Sequence, residues 1–213
     1  MSPVLAFDTS GPYCAAALLS GDTIVASRVE EMQKGQAERL MPLLEEVLAE
    51  AGKSWSDLDR IGVGIGPGNF TGIRISVSAA RGLAYSLGIP AMGVSSLEAQ
   101  AYGQNGVVVS SLDARQGRLY VDVIGSGEYI QPTLCDLESL PPIPARAEPS
   151  CVGYNAEQIA AQCAGNVALP MIPITEAIAH IASRRTPDGT RPAPLYLRPA
   201  DAAPPRDPAP VIL

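Results

Sequence analysis

The stretch from Ile61 to Leu87 constrains this chain more than any other. Ile61-Gly62-Val63-Gly64-Ile65 alternates apolar residues with glycine, at the period of a strand. Gly66-Pro67-Gly68-Asn69-Phe70-Thr71-Gly72 then breaks the run, and Ile73, Val77, Ala80 and Ala84 resume it at helical spacing. A strand that empties through a glycine-rich loop into a helix belongs to an α/β layout, so the rest of the chain must supply strands to pair with it and helices to cover it.

The flanking sequence supplies both. Val4 to Phe7, Cys14 to Leu19 and Thr23 to Val29 are three short apolar runs separated by Gly11-Pro12 and Gly21-Asp22, which predicts an antiparallel meander. Leu40, Leu43, Leu44, Val47 and Leu48 lie on one face of a helix within Gln36–Ala51. Pro42 would cost that helix a backbone bond, so its regular part is expected to begin near Arg39. Ala91 to Val94 reads as a further strand, and Ser95 or Ser96 can cap a short helix through Ala101. The order β-β-β-α-β-α-β, antiparallel then parallel, is that of a ribonuclease-H-like half-domain. Val107–Asp113 and Arg118–Ile124 then form a second hairpin. The region 128–149 is Pro-rich and expected to be irregular. Cys151–Gly153 and Val167–Leu169 read as short strands, and Glu157–Cys163 and Thr175–Arg185 as helices. Little regular structure is expected after Pro187. The expected divisions are 1–103, 104–190 and a Pro-rich segment, 191–213, packing back on the first lobe.

Charge and cysteine usage narrow the function. The net charge is −7 and Lys34 and Lys53 are the only lysines. Phosphate affinity rests on cationic side chains, so RNA work would require a more basic partner. Cys14, Cys135, Cys151 and Cys163 form no CxxC pair, and no charged-then-apolar leader opens the chain. A reduced cytoplasmic setting is expected, with a disulfide among the last three cysteines left open. No apolar run approaches the roughly 20 residues that span a bilayer.

The chemistry-bearing motifs each have two readings. The glycine loop fails the GxGxxG pattern in every register and has no Gly-Lys-Ser/Thr triplet. It either offers backbone N–H groups to an anion at a helix N-terminus or lets the backbone approach a neighbour. Asp8-Thr9-Ser10 at a strand end either helps hold a Mg-nucleotide, as an acidic residue does there in actin-like ATPases and sugar kinases, or simply caps a turn. The single histidine, His180, has no elbow-type nucleophile spacing nearby and no second imidazole for zinc, so it reads as a surface or core residue. The helix after the loop is apolar on most sides: Ile75, Ala79 and Leu83 form a second stripe beside small Ser76 and Gly82. Either it is buried within the chain or it receives a helical partner, with Leu40 and Leu44 of the first helix contributing.

Four segments together carry a resemblance. Phe7-Asp8-Thr9-Ser10, then Gly64 to Arg74 with its GPGxFTGxR core, then Asp113-Ala114-Arg115 with Tyr120, and Tyr196-Leu197-Arg198, resemble the TsaB family of bacterial tRNA threonylcarbamoyladenosine biosynthesis proteins. The match is densest through about Leu97. It implies an actin-like α/β fold of two ribonuclease-H-like lobes, the second reduced. It implies partnership with the catalytic subunit TsaD and the ATPase TsaE, with tRNA met only through that complex, no membrane partner, and a homodimer when TsaD is absent. The related TsaD carries two metal-ligand histidines, and Ser96 and Gln100 stand at those places here. The expectation is therefore no metal, no cofactor and no catalysis by this chain alone, with Asp8, Thr9, Ser10, Gly66, Gly68, Thr71 and Gly72 kept as vestigial phosphate-loop architecture. The partner interface is expected at Leu40, Leu44, Ile75, Ser76, Ala79 and Leu83. The alternative is an active glycoprotease-like hydrolase or ATP-dependent enzyme of the same superfamily.

Overall fold

The computed structural model describes residues 3–127, 130–144 and 147–198. Its first sheet is built from β1 (Val4–Asp8), β2 (Tyr13–Ser20), β3 (Thr23–Glu31), β4 (Arg60–Gly64) and β5 (Ala91–Val94), in the order β3-β2-β1-β4-β5. The meander pairs antiparallel, with Phe7 opposite Ala16, while β4 and β5 add in parallel, with Phe7 opposite Val63 and Val63 opposite Gly93. Period-two alternation divides the faces. Leu5 and Phe7 point to a core closed by α1 (Gln36–Glu50) and α2 (Phe70–Leu87). Val4 and Ala6 point to the opposite face.

The second sheet repeats this plan. β6 (Val108–Asp113), β7 (Leu119–Ile124) and β8 (Thr133–Cys135) form the meander, and β9 (Ser150–Gly153) and β10 (Asn166–Ala168) add in parallel, in the order β10-β9-β6-β7-β8. The helix between the two parallel strands is α4 (Ala156–Cys163), the counterpart of α2. No counterpart of α1 occurs among the described residues between β8 and β9, so this lobe is the smaller. The result is an α/β actin-like fold of two ribonuclease-H-like lobes, each a mixed sheet flanked by helices.

The last helix of each lobe is exchanged. α3 (Ser96–Ala101) follows β5 but seats Ala101 against Val108 and Val152 of the second sheet. α5 (Ile174–Arg184) follows β10 but buries Ala177, Ile178, Ala179 and Ala182 against Val4, Ala6, Leu19 and Val94 of the first. The sequence places 104–190 in the second lobe, and α5 departs from that division. Its small, uniformly apolar face fits a sheet face that has its own glycine: a Cβ on Gly62 would lie 3.0 Å from that of Ala182. Arg60 fixes the far end of the helix, donating from Nη1 to the carbonyls of Ala182 and Arg185 at 2.6 Å each.

Three local expectations change. α1 begins at Gln36 and runs through Pro42, starting with a bond from Arg39 N to Gly35 O. Burial of Leu40, Leu43, Leu44, Val47 and Leu48, each worth about 1.5–3 kcal/mol, outweighs the one bond that proline forfeits. α2 likewise starts three residues early, because Asn69 caps it by accepting from Gly72 N at 2.9 Å. β8 lies inside the region read as irregular, where three residues suffice to pair with Leu119–Val121.

Candidate functional site

β1 ends at Asp8, and the turn that follows folds the side chain of this aspartate under itself. Asp8 and Thr9 are fully buried and Ser10 nearly so. Ser10 donates to the Asp8 carboxylate twice, from N at 2.9 Å and from Oγ at 2.8 Å, and the Tyr13 hydroxyl donates a third bond at 2.7 Å. Burial pushes the Asp8 carboxyl above its usual range, and the Tyr13 and Ser10 bonds offset only part of that. The same burial, with the Asp8 charge beside it, raises the Tyr13 hydroxyl.

The glycine loop closes over this turn. A Cβ on Gly64 would come 2.3 Å from Asp8 Oδ1, one on Gly68 2.5 Å from Ser10 O, and one on Gly72 1.9 Å from Thr9 O. Thr9 Oγ1 donates to Gly72 O at 2.7 Å and Asn69 N to Ser10 O at 2.7 Å. The glycines thus serve approach of the chain to itself, and Asn69 occupies the N–H of Gly72 that an anion at this helix terminus would use. Gly66 accepts from Ser96 N at 2.8 Å through its carbonyl, which ties the loop to α3.

An open cleft of about 720 Å³ lies between the lobes beside this turn. Ser10, Gly68, Asn69 and Thr71 line one wall, and Asp113, Arg115, Tyr120 and Arg198 the other. Asp113 ends β6 as Asp8 ends β1, so the two strand-end aspartates are topological equivalents in different states: Asp8 is sealed and Asp113 is exposed. The segments that carried the resemblance converge here. Phe70 packs on Tyr196 with ring centroids 5.0 Å apart, and the Arg74 guanidinium sits 3.8 Å over Phe70 while donating to the Tyr196 hydroxyl. Arg198 donates to Ala114 O and to Gln116 Oε1.

Ser96 and Gln100 are both buried on α3. Ser96 Oγ lies 3.4 Å from Ser10 Oγ. Gln100 Nε2 donates to Ser110 Oγ, Ser111 O and Val152 O at 3.0–3.1 Å, so its amide joins the two lobes. Glu98 forms a two-oxygen ion pair with Arg185, which also donates to Gly93 O. Among the described residues no three His, Cys, Asp or Glu side chains cluster as a metal would require. His180 stacks on Tyr102 at 5.5 Å, and burial, reinforced by nearby Arg184, lowers its pKa.

The expected interface residues divide. Leu40, Leu44 and Ser76 lie inside the chain, the first two in the first-lobe core and Ser76 donating to Gly64 O at 3.1 Å. They are too deep to touch a partner. Ile75, Ala79 and Leu83 are half-buried along α2, packed against the edge of the first-lobe core with part of their surface open. Sequence reasoning missed Tyr13, Gly64 and Asn69. The first is five residues from its carboxylate across a turn, and nothing in its spacing announces the bond. Asn69 was detectable, since Asn before a helix is a preferred cap.

A family model described as TsaD, tRNA N6-adenosine threonylcarbamoyltransferase, matches residues 24–138, a little over half of the chain. The tRNA threonylcarbamoyladenosine biosynthesis proteins TsaB of Bacillus subtilis strain 168 and Escherichia coli strain K12 are 39% identical over 120 residues and 36% identical over 122 residues. Each match covers 55% of this chain and 52% of the relative, so the chain spans about half the length of the curated relatives it matches. A solved structure, described as an uncharacterized protein with similarity to peptidase YEAZ from Pseudomonas aeruginosa, is 30% identical with a TM-score of 0.73, covering 93% of this chain and 100% of that one.

Proposed function

The chain belongs to the family of the TsaD and TsaB proteins, and from that premise we propose that it is a non-catalytic partner subunit in forming N6-threonylcarbamoyladenosine on tRNA, binding and supporting a TsaD subunit together with TsaE. The surface left open by α1 and α2 carries this reading. Along α2, half-buried Ile75, Ala79 and Leu83 form an apolar seam. Exposed Arg74, Ser78, Arg81 and Tyr85 follow at helical spacing beside it, and α2 contains no acidic residue. The exposed side of α1 presents Glu38, Met41 and Glu45. A seam of small and aliphatic residues between a basic and an acidic helix suits two helices of a partner, with charge setting their orientation. The same complementarity would let two copies pair through this face when TsaD is absent, in competition with TsaD.

The cleft supports a non-catalytic role. Its first-lobe aspartate is covered by Ser10 and Tyr13, and Gln100 spends its amide on the second lobe. In this reading tRNA is met only through the complex, in the cytoplasm where the tRNA is.

Co-purification with the cognate TsaD tests the proposal. Ala79→Glu and Leu83→Glu, each placing a carboxylate on the seam, should abolish capture while circular dichroism stays native. Capture retained by both variants would overturn the α1–α2 interface. Calorimetric titration of the isolated chain with ATP addresses the competing reading of an ATP-dependent or glycoprotease-like enzyme. Micromolar binding would favour it, because the cleft volume could admit a nucleotide if the Asp8 turn opened.

A further inference from the structure

Cys151 lies in the middle strands of the second lobe, between Val109 of β6 and Val167 of β10. It is fully buried. Cys163, the last residue of α4, is half-buried. Their sulfurs stand 3.7 Å apart, twelve positions apart in sequence. A disulfide bond is about 2.05 Å long, so closure needs roughly 1.6 Å of approach. Cys163 is suited to supply it: it ends its helix, is followed by Ala164 in the left-handed region and then Gly165, and at present directs its thiol to Ala160 O of its own helix at 3.9 Å.

The other cysteines are poorly placed to compete. Cys14 belongs to the first sheet. Cys135 is on β8, the opposite edge strand of the second sheet, three strands from β9 and so roughly 14 Å away at the usual strand spacing.

We propose that Cys151 and Cys163 form a dithiol modification site that oxidises to an intramolecular disulfide on meeting a small-molecule disulfide. Access sets the order of events. The Cys163 thiolate attacks the external disulfide, bonds to one of its sulfurs and expels the other half as a thiol. The Cys151 thiolate then attacks the Cys163 sulfur and expels the second thiol. Two protein thiols are oxidised, one external disulfide is reduced, and their protons pass to the two leaving thiolates. Cys151 is sealed from an external disulfide and burial pushes its thiol up, so it does not attack first; its place 3.7 Å from the Cys163 sulfur makes it the resolving sulfur. The product ties α4 to β9 without touching the cleft or the α1–α2 face, so it stands independently of the proposed function.

The experiment incubates the full chain with oxidised glutathione and alkylates the remaining thiols after denaturation. The expected product has lost two hydrogens and two of its four thiols. Trypsin does not separate the pair, because no Lys or Arg lies between Cys151 and Cys163. Cleavage after Glu138, Glu157 and Glu176, with the Glu148–Pro149 bond resisting the protease, yields 139–157 joined to 158–176 until reductant is added. Cys151→Ser should instead accumulate one glutathione adduct at Cys163, and Cys163→Ser should leave Cys151 unmodified. A Cys14→Ser, Cys135→Ser double variant should oxidise as the wild type does. Survival of all four thiols, a lasting adduct at Cys163 beside a free Cys151, or a disulfide through Cys14 or Cys135 would each overturn the proposal.

Discussion

Asp8 carries a titratable group where water does not reach. Its carboxyl is raised from 3.8 chiefly by that burial, so the folded chain holds a proton that the unfolded chain has already released. The stability this contributes is complete below 3.8 and is lost as pH rises through the folded value. Asp8→Asn removes the titration while keeping an acceptor for Ser10 N. The urea midpoint of the variant, taken relative to wild type, should therefore climb from pH 4 toward neutrality. A difference that stays flat with pH would show that the Ser10 and Tyr13 bonds outweigh burial. Asp122 behaves alike in a narrower window. Half-buried on β7 and near Glu98, it is pushed up to about 6, mainly by desolvation. The relative gain of Asp122→Asn should accrue between pH 4 and 6 and level off above. Little of this was legible in the sequence. Asp8 stood out as a strand-end acid, but whether it faces a ligand or its own turn depends on Tyr13, Gly64 and Gly72 meeting in space.

The elements were more readable than the contacts they make. Leu40, Leu43, Leu44, Val47 and Leu48 announced α1 because one buried face dominates its energetics. Pro42 inside it does not end the helix, since its local backbone cost competes with five buried side chains. Leu44→Ala should cost about 2–5 kcal/mol in urea denaturation, against well under 1 for Glu45→Ala on the exposed side. The alternating glycines of β4 were equally visible, yet their reasons differ: Gly62 admits α5, whereas Gly64 clears the Asp8 carboxylate. The missed β8 shows the limit of composition. A Pro-rich surrounding hides three residues whose strand character comes from their partner, β7. Arg60 carries a prediction of its own. Its guanidinium satisfies terminal carbonyls of α5 that would otherwise lack donors. Arg60→Met should destabilise the chain by about 1–3 kcal/mol, and amide exchange should quicken first in the last turn of α5.

Exchange of α3 and α5 makes each lobe incomplete without the other. Remove α5, and Val4, Ala6, Leu19 and Val94 lose the face they pack against. Remove α3, and Gln100 no longer bonds Ser110, Ser111 and Val152. A division at residue 103 follows the sheets but cuts through the packing: the sequence shows both helices yet assigns each to the lobe it follows, because which sheet a helix covers is set by contacts distant in sequence. Two lobes that share their covering helices should unfold together. The chain carries its own reporters: Trp55, the single tryptophan, lies in the first lobe, and the buried thiol of Cys151 lies in the second. In a urea series under reducing conditions, Trp55 fluorescence and alkylation of Cys151 should share one midpoint. A fragment of residues 1–103 should fail to give that transition until 104–213 is added. If Cys151 became reactive at clearly lower urea than the fluorescence change, the second lobe would be opening alone and the exchanged helices would not couple the two halves.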